Sequence, residues 1–209
     1  MNRFIGITHR LCLLIAVVLF ASCGENDDKE EEFPDWQNTN TAYFNNLFAT
    51  TKHAIESGDK SWKLFKSWSI PDDNEKFTSA PEDYIAVKVL ETGTGSGCPL
   101  FTDNVWVHYQ GHLLPSKSYA SGYVFDQSFY GSFNENTAVP AKLVVSKMVP
   151  GFATALQKMH IGDRWQVYIP YQLGYGNKVA NEVIPAFSTL IFDIKLVAYA
   201  RQGAEERAK

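Results

Sequence analysis

From Tyr84 to Val197 the chain reads almost entirely as short strands, and a single stretch, Gly151 to Met159, has helical spacing. That imbalance restricts the fold more than any other feature. Tyr84 to Leu90 alternates and is rich in β-formers. Val105, Val107 and Tyr109 share one strand face, with Trp106, His108 and Gln110 on the other. Tyr123 to Asp126 and Leu143 to Val145 read as short strands. Trp165, Val167 and Ile169 alternate inward before Pro170 ends their strand. Thr189 to Val197 is a long last strand with Leu190, Phe192, Ile194 and Leu196 on one face. The helix gathers Ala155, Leu156 and Met159 on one side. Many strands and one central helix predict an α+β fold, an antiparallel sheet wrapped around one short helix. Tyr171 to Pro185, rich in Gly and Asn, reads as a loop.

Residues 1–22 have a basic start (Arg3, His9, Arg10) and an apolar run from Leu11 to Ala21. The run is too short to cross a bilayer and suits a signal-peptide core. Leu19-Phe20-Ala21-Ser22-Cys23 is similar to a bacterial lipoprotein cleavage box, with Phe20 where Leu, Val or Ile is usual. That similarity implies cleavage before Cys23, lipid on its thiol, and a place in the bacterial cell envelope. The chain would then be held to the outer membrane, on its periplasmic side or at the cell surface. An ordinary secretory leader, or a short uncleaved anchor, would leave Cys23 incidental. Glu25 to Glu32 carries six acids and one lysine. Such a run repels itself, so 23–34 is expected to be an acidic tether. The formal charge of −4 includes Arg3 and Arg10, so a mature chain carries about −6. With no basic stripe, nucleic acid is not an expected partner. Once Cys12 leaves and Cys23 is lipidated, Cys98 has no disulfide partner. It reads as a bystander thiol, with no basic neighbour in sequence to activate it.

Between the tether and the strand-rich half lies a second region. Trp36, Tyr43, Phe44, Leu47, Phe48, Ala54 and Ile55 recur at helical steps, and Gly58 is a plausible stop. Trp62, Leu64, Phe65 and Trp68 follow, before Pro71-Asp72-Asp73-Asn74 breaks the pattern. Residues 35–80 are therefore expected to be a helical N-terminal extension. It packs on the main domain by default, and self-association or client capture are the alternatives. Residues 81–200 form the main domain and 201–209 a polar tail that frays.

Five short motifs occur in order within the main domain. They are Val107-His108-Tyr109-Gln110-Gly111, Phe125-Asp126-Gln127-Ser128, Val149-Pro150-Gly151-Phe152, Gly174-Tyr175-Gly176 and Thr189-Leu190-Ile191-Phe192-Asp193. Taken singly, their aromatic residues read more readily as core than as site. In this order they resemble the FKBP-type (immunophilin) peptidyl-prolyl isomerases, over roughly Pro81 to Ala200. The resemblance implies a pocket that needs neither nucleophile, metal nor cofactor. Rotation about an X–Pro bond has a barrier of about 20 kcal/mol, because amide resonance must be lost. Water stabilises the planar, polar ground state. An apolar pocket excludes that water and favours the twisted transition state.

By the same resemblance, Tyr109, Phe125 and Phe192 form the walls of the proline pocket and Phe152 its floor. Met148 and Val149 form the rim, and the Val149 N–H donates to a ligand carbonyl. The Tyr175 hydroxyl bonds another carbonyl. Asp126 pairs with Tyr109, Leu143 is a further wall, and Ile184 lies in the flap. The sequence departs from the family where the floor holds Phe152 rather than the common Trp, and Leu143 replaces a common Phe. The flap from Asn177 to Val183 also differs from the usual Gly-rich sequence. The implied substrates are proline-containing polypeptide clients in the envelope. A catalytically weak binding module or chaperone, and a structural subunit of an envelope machine, are the rival readings. His108 and His112 are four apart, but on a strand they do not converge, and no third ligand follows.

Overall fold

The computed structural model describes residues 31–71 and 80–201. The expected signal peptide (1–22), Cys23, the expected tether before residue 31, residues 72–79 and the residues after Arg201 lie outside the described residues. From Glu32 onward the described residues belong to one compact unit.

Helix α1 (Trp36–Glu56) comes first and ends where Gly58 adopts a φ of +88°, a conformation costly for any residue with a Cβ. Its buried residues are Trp36, Asn40, Phe44 and Thr51, spaced by four, four and seven. The buried stripe thus includes two polar residues, which a reading of apolar spacing passes over. The expected helical extension stops there. Trp62–Lys66 forms a strand, β1, antiparallel to β2 (Tyr84–Glu91), with Leu64 opposite Ala86. A run of five residues is too short for periodicity to separate strand from helix. The open edge of β2 decides the matter, by offering hydrogen-bond partners to a chain that passes it.

The sheet continues with β3 (Asn104–His112), β4 (Val124–Gln127), β5 (Ala141–Val144), β6 (Arg164–Ile169) and β7 (Leu190–Ala200). Its order is β1-β2-β6-β7-β3-β4, and every pairing is antiparallel. β5 also pairs with β3: one end of that long strand faces β5 and the other faces β4. Helix α2 (Pro150–Leu156) is the central helix the sequence predicts. Pro150 at its first position has a preset helical φ, and the six residues after it are all buried. Gly151 lets the helix approach β6: a Cβ there would lie 2.3 Å from Ile169 Cγ2. The core joins Ile85 and Val87, Val105 and Val107, Trp165, Val167 and Ile169, and Leu190, Ile194 and Leu196 to this helix. These are the alternating residues read from the sequence.

Two local expectations are corrected. Glu32, read as the end of a solvated tether, accepts hydrogen bonds from Ser116 Oγ (2.6 Å), Ser118 N–H (2.8 Å) and Ser118 Oγ (2.6 Å). Arg201, read as frayed, pairs with Asp103, whose side chain is buried. Cys98, which has no basic neighbour in sequence, lies with Sγ 3.9 Å from His160 Nε2. Its thiol is nevertheless pushed up, by burial first and then by the charge of Asp163.

His108 gives the fold a pH dependence. It is buried on the outer face of β3 beside Phe133, and its Nδ1 has no partner among the described residues. Burial lowers its pKa, Lys195 adds to that, and Glu135 opposes it. The unfolded chain therefore binds the proton first, at about pH 6.5. Stability from this group is complete above that pH and declines as pH falls through it. Chemical unfolding of the wild type at pH 7.5 and 5.5 is expected to show the decline, and His108→Phe to flatten it. An equal decline in the variant would remove His108 as the cause.

Candidate functional site

Four aromatic rings converge from four different elements, β3, β4, α2 and β7. Phe192 of β7 is the hub. Its ring meets Phe152 edge-on at 4.9 Å and Phe125 edge-on at 5.4 Å, and lies 6.4 Å from Tyr109. Tyr109 in turn meets Phe152 edge-on at 6.1 Å. Such edge-to-face pairs set the positive rim of one ring against the negative face of the next. They fix the ring planes as well as filling space. Phe152 and Phe192 are buried, whereas Tyr109 and Phe125 are half-buried.

Gly111 allows this convergence. It lies opposite Asp126 on β4 and opposite Phe192 on β7. A Cβ on residue 111 would lie 2.5 Å from Phe192 Cε1 and 2.7 Å from the Phe125 ring. The two rings occupy the space a side chain would need. The sequence carries the signal, a glycine inside a strand pattern, which marks a close approach of some kind. It does not say what approaches.

The polar part of the site is small. The Tyr109 hydroxyl donates to Asp126 Oδ2 at 2.8 Å. Tyr109 is fixed at its backbone as well: its N–H donates to Ser128 Oγ, and Ser128 N–H donates back to Tyr109 O, both at 2.8 Å. Burial, and then the bond to Asp126, hold the Tyr109 phenol far above its ordinary pKa. It remains a proton donor throughout the working range. Tyr175 is raised as well, by burial first and then by the Asp126 charge. Its ring is 38% exposed, so it stands at the mouth and not in the core.

Val149 precedes α2 with extended backbone angles (φ −56°, ψ 149°) and is half-buried. Among the described residues, neither its N–H nor the Tyr175 hydroxyl has a hydrogen-bond partner. Leu143, Met148 and Val149 pack partly buried against the same core cluster, and Ile184 is buried within it. The structure brings together Tyr109, Phe125, Asp126, Phe152 and Phe192 by direct contact. Tyr175 is coupled to the group through charge, and Leu143, Met148, Val149 and Ile184 share with it only the large core cluster.

A family profile described as FKBP-type peptidyl-prolyl cis-trans isomerase matches residues 99–197. An FKBP-type 22 kDa peptidyl-prolyl cis-trans isomerase of Escherichia coli is 35% identical over 119 residues, covering 57% of this chain and 52% of that protein. An outer membrane protein MIP of Legionella longbeachae is 36% identical over 111 residues, covering 53% of this chain and 42% of that protein. FK506-binding protein 2 of Kluyveromyces lactis is 35% identical over 104 residues, covering 50% of this chain and 68% of that protein. The chain spans about half the length of the first of these relatives.

Proposed function

The chain belongs to the FKBP-type peptidyl-prolyl cis-trans isomerase family, and from that premise we propose that it isomerises X–Pro bonds of exported polypeptides. The observation that carries the reading is the quartet of rings around Phe192, with a single hydrogen-bonded pair, Tyr109–Asp126, at its edge. A proline ring entering among these side chains leaves water behind. The planar amide loses the solvent that stabilised its charge separation, while the twisted amide, with little resonance dipole, loses nothing. The Val149 N–H and the Tyr175 hydroxyl, two donors without partners among the described residues, would hold the carbonyls on either side. Asp126, bonded to Tyr109, would keep that hydroxyl turned away from the ring space. No step requires a covalent bond to the protein, and the pocket needs no cofactor.

The Leu19–Cys23 box supports lipidation of Cys23, and one relative is an outer membrane protein. We place the chain in the bacterial envelope, tethered by lipid and acting on proline-containing clients there. Self-association through the N-terminal region has less support, because Trp36 and Phe44 are buried within the chain itself.

The test is a protease-free isomerisation assay of the chain on proline tetrapeptides. Asp126→Leu removes an acceptor worth about 1–1.5 kcal/mol and is expected to lower kcat/KM about tenfold. Tyr175→Phe is expected to cost about threefold. Folded variants with wild-type turnover would show that the chemistry lies elsewhere. A folded wild type inactive on every residue preceding proline would leave the chain as a binding module.

A further inference from the structure

We infer that residues Glu32–Asn40 form a strap that positions the Tyr175 loop, with Asn40 and Trp36 as positioning residues of the site. The inference rests on the isomerase reading for its catalytic consequence, though not for its geometry. Asn40 is wholly buried, and both ends of its amide are used. Its Oδ1 accepts the Thr189 N–H at 2.7 Å, and its Nδ2 donates to Trp36 O at 2.7 Å. Trp36 Nε1 donates to Ser188 Oγ at 2.8 Å, and Ser188 Oγ passes the bond on to Pro185 O at 2.7 Å. One turn of α1 therefore grips three residues, 185, 188 and 189, on the path from Ile184 into β7.

Phe187 lies in the middle of that gripped stretch, in the left-handed region (φ 64°). A bulky residue is held there only when its surroundings determine it. Phe187 is also the link to the mouth of the pocket. Its N–H donates to Gly176 O at 2.9 Å, and its ring meets Tyr171 edge-on at 5.3 Å. Gly176 N–H donates to Tyr171 O at 2.8 Å. Tyr175 lies inside this closed ring of contacts. Its position is thus fixed by Phe187, whose position is fixed in turn by α1.

The strap reaches the opposite side as well. Glu32 holds Ser116 and Ser118 in the loop that leads from β3 to β4, and β4 carries Phe125 and Asp126. About ten residues directly behind the tether thus bind both loops that flank the site. A Leu at position 40 would serve packing alone. A buried amide with both ends satisfied fixes one register of loop against helix, since any slip leaves a buried donor or acceptor unpaired.

The experiment compares Asn40→Leu, Tyr175→Phe and the Asn40→Leu/Tyr175→Phe pair in the full chain. The readouts are kcat/KM on a proline tetrapeptide and amide exchange at Phe187 and Gly176. Asn40→Leu is expected to speed exchange at both amides and to lower kcat/KM at least as far as Tyr175→Phe, about threefold or more. The double variant should then fall no further. A folded Asn40→Leu with wild-type kcat/KM would overturn the inference, even with faster exchange. So would a full additional loss from Tyr175→Phe in the double variant. If Asn40→Leu does not fold, Trp36→Phe removes the bond to Ser188 while keeping an aromatic ring in the core, and is read in the same way. An inactive wild type would remove the isomerase reading. Amide exchange would then decide the strap alone, with unchanged protection at Phe187 overturning it.

Discussion

Phe152→Ala is expected to lower kcat/KM about a hundredfold and to cost about 3–5 kcal/mol of stability. Phe152 is buried between α2 and the hub ring of Phe192, and its removal opens a hole in the floor beneath the rings. Phe192 and Tyr109 would each lose an edge-to-face neighbour. Water able to enter the hole would solvate the planar amide, and the desolvation that drives isomerisation would go with it. Phe152→Leu keeps most of the volume and should retain far more of both quantities. Unfolding in denaturant, alongside isomerisation of one tetrapeptide, checks the pair. If Phe152→Ala lost stability but kept full turnover, the ring would be core and not floor.

Gly111→Ala is expected to damage the site with a smaller loss of stability, about 1–3 kcal/mol. The added methyl would lie 2.5 Å from Phe192 and 2.7 Å from Phe125, well inside contact distance. The backbone at Gly111 cannot retreat, because it is paired to β4 on one side and β7 on the other. The two rings must move, and both are walls of the proposed pocket. A fall in kcat/KM of about thirtyfold or more corresponds to some 2 kcal/mol of lost transition-state binding. Because the strands themselves are unchanged, far-ultraviolet circular dichroism should match the wild type. A folded variant with unaltered kinetics would show that the rings tolerate displacement and that their packing does not set the rate.

Much of the sheet was legible. β6 alternates strictly, and β7 does so from Phe192 to Ala198, so their period survives in the residues themselves, whereas β2 buries Ile85, Ala86 and Val87 in a row. Three of the five motifs lie on β3, β4 and β7 and hold Tyr109, Phe125 and Phe192, while the other two begin α2 at Phe152 and form the loop that carries Tyr175. The contact that makes Tyr109 and Asp126 a pair is another matter. Both residues stood in the sequence, but their 2.8 Å bond depends on the register of β4 against β3. Gly111 was visible as a glycine in a strand, while the rings above it belong to β7 and to the residue before Asp126.

The N-terminal region divides the two kinds of information most clearly. The amphipathic helix and its stop at Gly58 follow from local spacing and from backbone freedom at one residue. That Trp62–Lys66 becomes a strand does not, because an edge strand takes its hydrogen bonds from a neighbour eighteen to twenty-six residues away. Asn40 is the strongest case. By itself a polar residue on a helix reads as solvent-facing, and nothing near it in sequence states otherwise. Its partners are Thr189, at the far end of the chain, and one turn of its own helix. Apart from β1, the sequence determined the elements, and it supplied the aromatic identity of the proposed site, because those depend on neighbours along the chain. Tertiary structure alone decided which polar groups are buried and whom they bind, because desolvation is set by whatever the fold brings alongside.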